Sequence, residues 1–234
     1  MRGTQVQKRG GANGTSLGRR LKEQNEAGRA RLPAESLAVM DHATPELTAS
    51  GIAVSSLGLG AKVAEFSLPD ATGTKISLSS LLAKGPVTLA FYRGGWCPYC
   101  STELRALQAK LPEITAGGAT LVAISPQTPD SSLSTAEKLE LKFPILSDEG
   151  NQVAESFGLV FTLPESLRQV YASFGLNLPA ANGDETFGLP IPASRAALSL
   201  PVANPQPGGA LKNWWVQSSC SSGATIRGAG KYDG

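Results

Sequence analysis

Val87-Thr88-Leu89-Ala90-Phe91-Tyr92-Arg93-Gly94-Gly95-Trp96-Cys97-Pro98-Tyr99-Cys100 is the stretch that decides the reading of this chain. Its first six residues form an apolar run of strand length, and two glycines end it. Behind the cysteines Leu104, Leu107, Leu111 and Ile114 recur at helical spacing. The two thiols therefore stand where a strand hands over to a helix. Unpaired backbone N–H groups and the positive end of the helix dipole lie at such a junction. Both favour thiolate, the reactive form of cysteine, so the pair reads as a redox centre.

Outward from this stretch, strands and helices alternate. Phe66–Asp70 and Lys75–Leu78 read as a hairpin turning at Gly73, and Leu78–Ala83 as a short helix. Thr120–Ser125 and Phe143–Leu146 read as further strands, Ser134–Lys142, Asn151–Phe157 and Glu165–Phe174 as helices. This alternation predicts an α/β fold with a central, mostly parallel sheet. Upstream, residues 16–31 and 34–50 read as two helices broken by Pro33. Leu37, Met40 and Leu47 share one face of the second, and Pro45 is placed to kink it or end it early.

The chain divides into three parts on composition. Residues 1–56 hold a Gly-rich, polar start (1–15), read as disordered, and the helical extension. Residues 57–193 carry the redox domain. Residues 194–234 are rich in Ser, Gly, Ala and Pro and read as a poorly ordered tail, with Trp214-Trp215-Val216 an apolar island and Ala196–Leu200 a candidate strand.

A net charge of +2 implies no strong field for a polyanion, so nucleic acid is not an expected partner. Arginine and lysine crowd the first residues, but no apolar segment follows them as in a secretory signal. No stretch has the length and apolarity of a membrane span. Three cysteines, two of them adjacent in a Cys-x-x-Cys, suit a cytoplasmic redox motif better than a secreted disulfide scaffold. The alternative for the cysteines is zinc, with Cys97, Cys100, Cys220 and His42 as ligands. Ligands on a helix N-terminus argue against it, and Cys220 reads as a free thiol. Asp148 and Glu149 read as a turn or helix cap after a strand.

Phe66-Ser67-Leu68-Pro69-Asp70, the run Phe91–Cys100, Leu121–Gln127 and Phe143–Asp148 together resemble the alkyl hydroperoxide reductase / thiol-specific antioxidant family. The likeness is to its peroxiredoxin-like branch with a Cys-x-x-Cys motif, over about residues 57–193. The resemblance implies a thioredoxin-like fold. It implies a thiol-dependent peroxidase that reduces hydrogen peroxide or organic hydroperoxides, takes electrons from thioredoxin or a small thiol, and needs no cofactor. It also allows a homodimer. With Cys100 on the family's peroxidatic position, the family's proline falls on Arg93, its threonine on Cys97 and its later arginine near Pro192. What stands instead is thioredoxin-like: Trp96 before Cys97 and Cys100, and Pro192 as a candidate cis-proline. Residues 195–234 do not resemble the family, as a reading-frame change near Ser194 in the parent sequence would explain.

Two orders of attack follow. By the family alignment Cys100 attacks peroxide and Cys97 resolves. By dithiol geometry Cys97, outermost at the junction, attacks and Cys100 closes the disulfide. Arg93 is the candidate cation beside the thiolate, and Trp96 the candidate wall of the site. The rival functions are a thiol–disulfide oxidoreductase and a redox-inert or zinc-holding protein.

Overall fold

The computed structural model describes residues 17–52, 56–58 and 61–197. Within them run α1 (Leu17–Arg29), α2 (Ala34–Ala49), β1 (Ser67–Pro69), β2 (Lys75–Ser77), α3 (Leu78–Leu82), β3 (Val87–Phe91), α4 (Pro98–Ala116), β4 (Thr120–Ser125), α5 (Pro129–Leu139), β5 (Ile145–Ser147), α6 (Gln152–Ser156), β6 (Val160–Thr162), α7 (Glu165–Ser173), α8 (Leu178–Asn182), β7 (Gly188–Pro190) and β8 (Ala193–Ala197). The central sheet has the order β5-β4-β3-β8. β3 pairs parallel with β4 and β4 parallel with β5, while β8 runs antiparallel against β3. Two antiparallel pairs, β1–β2 and β6–β7, stand beside it. The architecture is the α/β, thioredoxin-like one expected from the alternation of elements.

The sheet is buried on both faces, as parallel strands require. Side chains alternate across a strand, so Val87, Leu89 and Phe91 of β3 join Val122 and Ile124 of β4 on one face. Phe66, Leu81, Leu146, Val153 and Phe157 close that layer. Ala90, Tyr92, Leu121 and Ala123 point the other way, onto Leu104 and Leu107 of α4 and onto both cysteines. The redox helix thus packs through its apolar stripe, and its first turn is fixed at the C-terminal end of β3.

Phe157 lies 1 % exposed, its ring centroid 4.9 Å from that of Phe91. Truncating a buried Phe removes its transfer energy and leaves a cavity. Phe157→Ala is expected to cost about 3–5 kcal/mol of folding stability. Urea titration checks this; a midpoint equal to wild type would contradict it.

Several elements differ from the sequence reading. The candidate strand Ala196–Leu200 begins three residues earlier than read: among the described residues β8 covers Ala193–Ala197, with Phe91 opposite Ala193 and Val87 opposite Ala197, and residues 198–200 lie outside them. The chain therefore stays in the central sheet for four residues past Ala193, where the tail was expected to begin. Arg195 ties this strand down by donating from Nη2 to Ser56 Oγ at 3.1 Å. Pro45 neither ends nor shortens α2, which runs through it to Ala49. α5 begins five residues before Ser134, capped by Thr128, whose Oγ1 accepts from the Ser131 amide, with Pro129 in its first turn. β6, β7 and α8, each three to five residues long, went unread. The start that was read as disordered (residues 1–15), Cys220 and the Trp214-Trp215 island lie outside the described residues.

Candidate functional site

The segment from Tyr92 to Cys100 leaves β3, turns through two glycines and enters α4 at Pro98. Cys97 holds extended backbone angles (φ −83°, ψ 113°) immediately before the helix, and proline occupies the first helical turn, where its missing N–H costs nothing. Both cysteines are buried and neither is in a disulfide.

The loop is held from behind. The Gly95 amide donates to Gln127 Oε1 at 2.8 Å, and Thr135 Oγ1 donates to the same oxygen at 3.3 Å. Cys97 N–H donates to Gly94 O at 3.1 Å, and Ser101 Oγ donates to Gly95 O at 3.4 Å. Gly94 has φ +153°, a region open essentially to glycine, and a Cβ there would strike the Trp96 indole. A Cβ on Gly95 would strike the Thr135 side chain. Gly94→Ala is therefore expected to displace Trp96 and the cysteine loop and to slow thiol oxidation by about tenfold or more. Stopped-flow oxidation of the reduced variant checks this; an unchanged rate would contradict it.

Arg93 Nη2 donates to Cys97 Sγ at 3.2 Å. The Cys97 thiol is pulled well below the ordinary thiol range, first by a hydrogen bond from Cys100 and against the opposing pull of burial, with the Arg93 charge adding to the lowering. Cys100 is pushed the other way: it donates its proton to Cys97, is buried, and faces the Cys97 charge. Burial works against the Arg93 charge, but the negative Cys97 outweighs it and the guanidinium stays protonated. The pair thus has one thiolate, at Cys97, and one thiol, at Cys100. A carboxyl also responds to this charge. Glu103 of α4 is pushed up to about 7 by burial and then by Cys97.

Trp96 packs between the cysteine layer and a cluster of Leu163, Leu178 and Leu189, meeting Tyr171 edge-on with ring centroids 5.8 Å apart. The Arg93 guanidinium lies 6.0 Å from the Trp96 ring centroid. Among the described residues Arg93 Nε and Trp96 Nε1 are buried donors without a hydrogen-bond partner. On the helix side α1 covers the first turn of α4: Tyr99 donates to Asn25 Oδ1 at 3.0 Å and Thr102 to Gln24 Oε1 at 2.5 Å.

Of the residues singled out in the sequence, Arg93, Trp96, Cys97 and Cys100 come together. Pro192 immediately precedes β8, whose Ala193 pairs with Phe91, and so stands at the end of β3 from which the cysteine loop departs. His42 is on the exposed face of α2, 3.4 Å from Glu46. Cys220 is outside the described residues, and among those residues no three His, Cys, Asp or Glu side chains gather as metal ligands. Asp148 is a cap: its carboxylate accepts from the amides of Val153 and Ala154 at 3.0 and 2.9 Å. Gln127, Tyr171 and Glu103 had no local signal, since their contribution comes from tertiary contact. Among the described residues no helix is long and apolar enough to cross a membrane.

The model of the AhpC/TSA family matches residues 59–176. The chain is 32 % identical over 145 residues to a chloroplastic peroxiredoxin Q of Triticum aestivum, covering 60 % of this chain and 65 % of that protein. It is 34 % identical over 95 residues to peroxiredoxin Bcp of Escherichia coli K12, covering 41 % and 60 % respectively. Both matches take in less than two thirds of the relative. A crystal structure of the peroxidoxin BcpB from Mycobacterium tuberculosis matches with a TM-score of 0.43 and 38 % identity, over 44 % of this chain and 68 % of that one. With half its length matched by the family model, around the strand–helix junction that carries Cys97 and Cys100, the chain belongs to the AhpC/TSA family.

Proposed function

We propose that this protein is a thiol-dependent peroxidase that works through the Cys97–Cys100 pair. The observation that carries the reading is the contact between Arg93 Nη2 and Cys97 Sγ, 3.2 Å, at the head of α4. A cation and a helix N-terminus together hold a nucleophilic thiolate. The two unpartnered donors beside it, Arg93 Nε and Trp96 Nε1, suit a ligand that brings oxygen acceptors, as a hydroperoxide does.

The surroundings of the two thiols favour Cys97 as the attacking group. Its sulfur attacks one peroxide oxygen; an S–O bond forms, the O–O bond breaks, and the other oxygen leaves as alcohol or water after taking a proton. Cys97 is now a sulfenic acid. Cys100 attacks that sulfur, an S–S bond forms, and the hydroxyl leaves as water. Thioredoxin or a small thiol then reduces the disulfide by exchange. These roles reverse the order that the family alignment suggests. The reason is that Cys97 itself stands where the family has its threonine. A single Cys-x-x-Cys pair fits a cytoplasmic redox motif better than a secreted disulfide scaffold.

A second reading, a thiol–disulfide oxidoreductase, is favoured by the same replacement, since it leaves a thioredoxin-like dithiol. Coupled assays separate the two. Rapid peroxide consumption with thioredoxin as electron donor supports the peroxidase. Slow peroxide consumption with rapid reduction of insulin disulfides would replace it with the oxidoreductase.

A further inference from the structure

A guanidinium carries its N–H donors in a rigid planar fork and has no acceptor. Arg93 spends one of them, on Nη2, on Cys97 Sγ at 3.2 Å. One bond alone lets the plane swing about it, so a guanidinium that is to stay on a sulfur needs a second acceptor. Tyr171 of α7 stands in place to supply one. Its ring meets Trp96 edge-on with centroids 5.8 Å apart, and the Arg93 guanidinium lies 6.0 Å from the same Trp96 ring.

Tyr171 is half-buried against the Leu163, Leu178 and Leu189 cluster. A phenylalanine would fill that place as well; the hydroxyl is what tyrosine adds, and a buried phenol turns its oxygen toward a polar partner. Burial raises the Tyr171 titration, while the Arg93 charge and a hydrogen bond with Arg93 lower it. The helix beneath is firm. Arg168 Nε donates to Leu163 O at 3.1 Å and its guanidinium lies 4.1 Å from the Phe187 ring centroid. The Tyr171 carbonyl accepts from the amides of Phe174 and Leu176, each at 3.1 Å. The other charges nearby are Glu165 and Arg168 of α7 and those of α2, which packs on α7: Glu35, Asp41, His42 and Glu46. Asp41 is paired with Arg29, and His42 with Glu46.

From this cluster we infer that Tyr171 is a positioning residue of the site: its phenol oxygen accepts from Arg93 and holds the guanidinium in the plane that reaches Cys97. Tyr171 acts on the thiolate through Arg93 and needs no contact with the substrate. The same ring fixes Trp96, so one side chain of α7 braces both residues that flank the sulfur. The placement joins the two halves of the site, because α7 lies about 70 residues after the cysteine loop and meets it only in the fold. The inference rests on Cys97 as the attacking thiolate, as proposed above.

The test compares the reduced full chain as wild type, Tyr171→Phe, Arg93→Met and the double variant. Two readouts follow Cys97 without peroxide: ultraviolet thiolate absorbance against pH, and alkylation by iodoacetamide, localised to Cys97 by mass spectrometry. Tyr171→Phe keeps the ring on Trp96 and removes the oxygen. It is expected to move the Cys97 titration to higher pH and to slow alkylation about fivefold in mildly acidic buffer. In the Arg93→Met background the same change is expected to have no further effect, since Tyr171 works through Arg93. A Tyr171→Phe protein with the wild-type titration and rate would overturn the inference. So would an equal loss in both backgrounds, which would leave Tyr171 a packing role only. Peroxide is added last. A wild type that ignores it, with the titration and alkylation results as expected, refutes the peroxidase reading and upholds the role of Tyr171.

Discussion

Cys97→Ser is expected to lower the rate of peroxide reduction by roughly a thousandfold or more, whereas Cys100→Ser leaves a protein that still reacts once. In the second variant Cys97 keeps Arg93 at its sulfur and its place before α4, so it is oxidised and then waits without a resolving thiol. A dimedone probe should therefore label Cys97 in Cys100→Ser and label nothing in Cys97→Ser. The opposite pattern, with Cys100 labelled in Cys97→Ser, would restore the order of attack suggested by the family alignment. Serine at this position keeps an O–H that can donate to Cys97 as the Cys100 thiol does, so the single turnover of Cys100→Ser is expected to stay close in rate to the first step in wild type.

Arg93→Met is expected to slow that first step by about 10- to 100-fold, the worth of a charge-assisted hydrogen bond of about 1.5–3 kcal/mol. The pH dependence gives the sign. Cys97 titrates below its ordinary range in the folded protein, so its reactivity holds above that lowered value and is lost as pH falls through it. Without the guanidinium the fall moves to higher pH. The same linkage applies to stability. A thiol whose titration is depressed by folding stabilises the reduced protein above the unfolded thiol value, and this contribution disappears as pH falls through the folded one. Reduced Arg93→Met should therefore lose stability relative to wild type at alkaline pH and differ less in acid. Stopped-flow rates and urea midpoints across the pH range check both statements. A pH profile that Arg93→Met leaves unmoved would remove Arg93 from the site.

The cysteine junction was legible because two periodicities meet there. β3 alternates, with Val87, Leu89 and Phe91 on one face and Ala90 and Tyr92 on the other, and α4 then repeats at helical spacing through Leu104 and Leu107. Pro98 marks the boundary. The start of β8 was read three residues late because Ser194, Arg195 and the alanines have no strong strand preference. Pairing with β3 decides their conformation, and sequence pattern does not carry pairing. α5 was entered late because Thr128-Pro129-Asp130-Ser131 looks like a loop, although threonine before proline is also a helix start. Within the site, Arg93 and Trp96 were visible beside the cysteines in sequence. Gln127, which braces Gly95, and Tyr171, which meets Trp96 edge-on, arrive from β4's end and from α7 and are joined to the loop only by the fold. Glu103 was in plain view on α4, but its unusual affinity for a proton comes from burial and from Cys97, which no local pattern expresses.

The most direct test of the account is to mix the reduced full-length protein with one equivalent of hydrogen peroxide and map its thiols by mass spectrometry as a function of time. The account predicts a Cys97 sulfenic acid first, followed by a Cys97–Cys100 disulfide. If both thiols stay reduced while the protein remains folded, the central claim is contradicted.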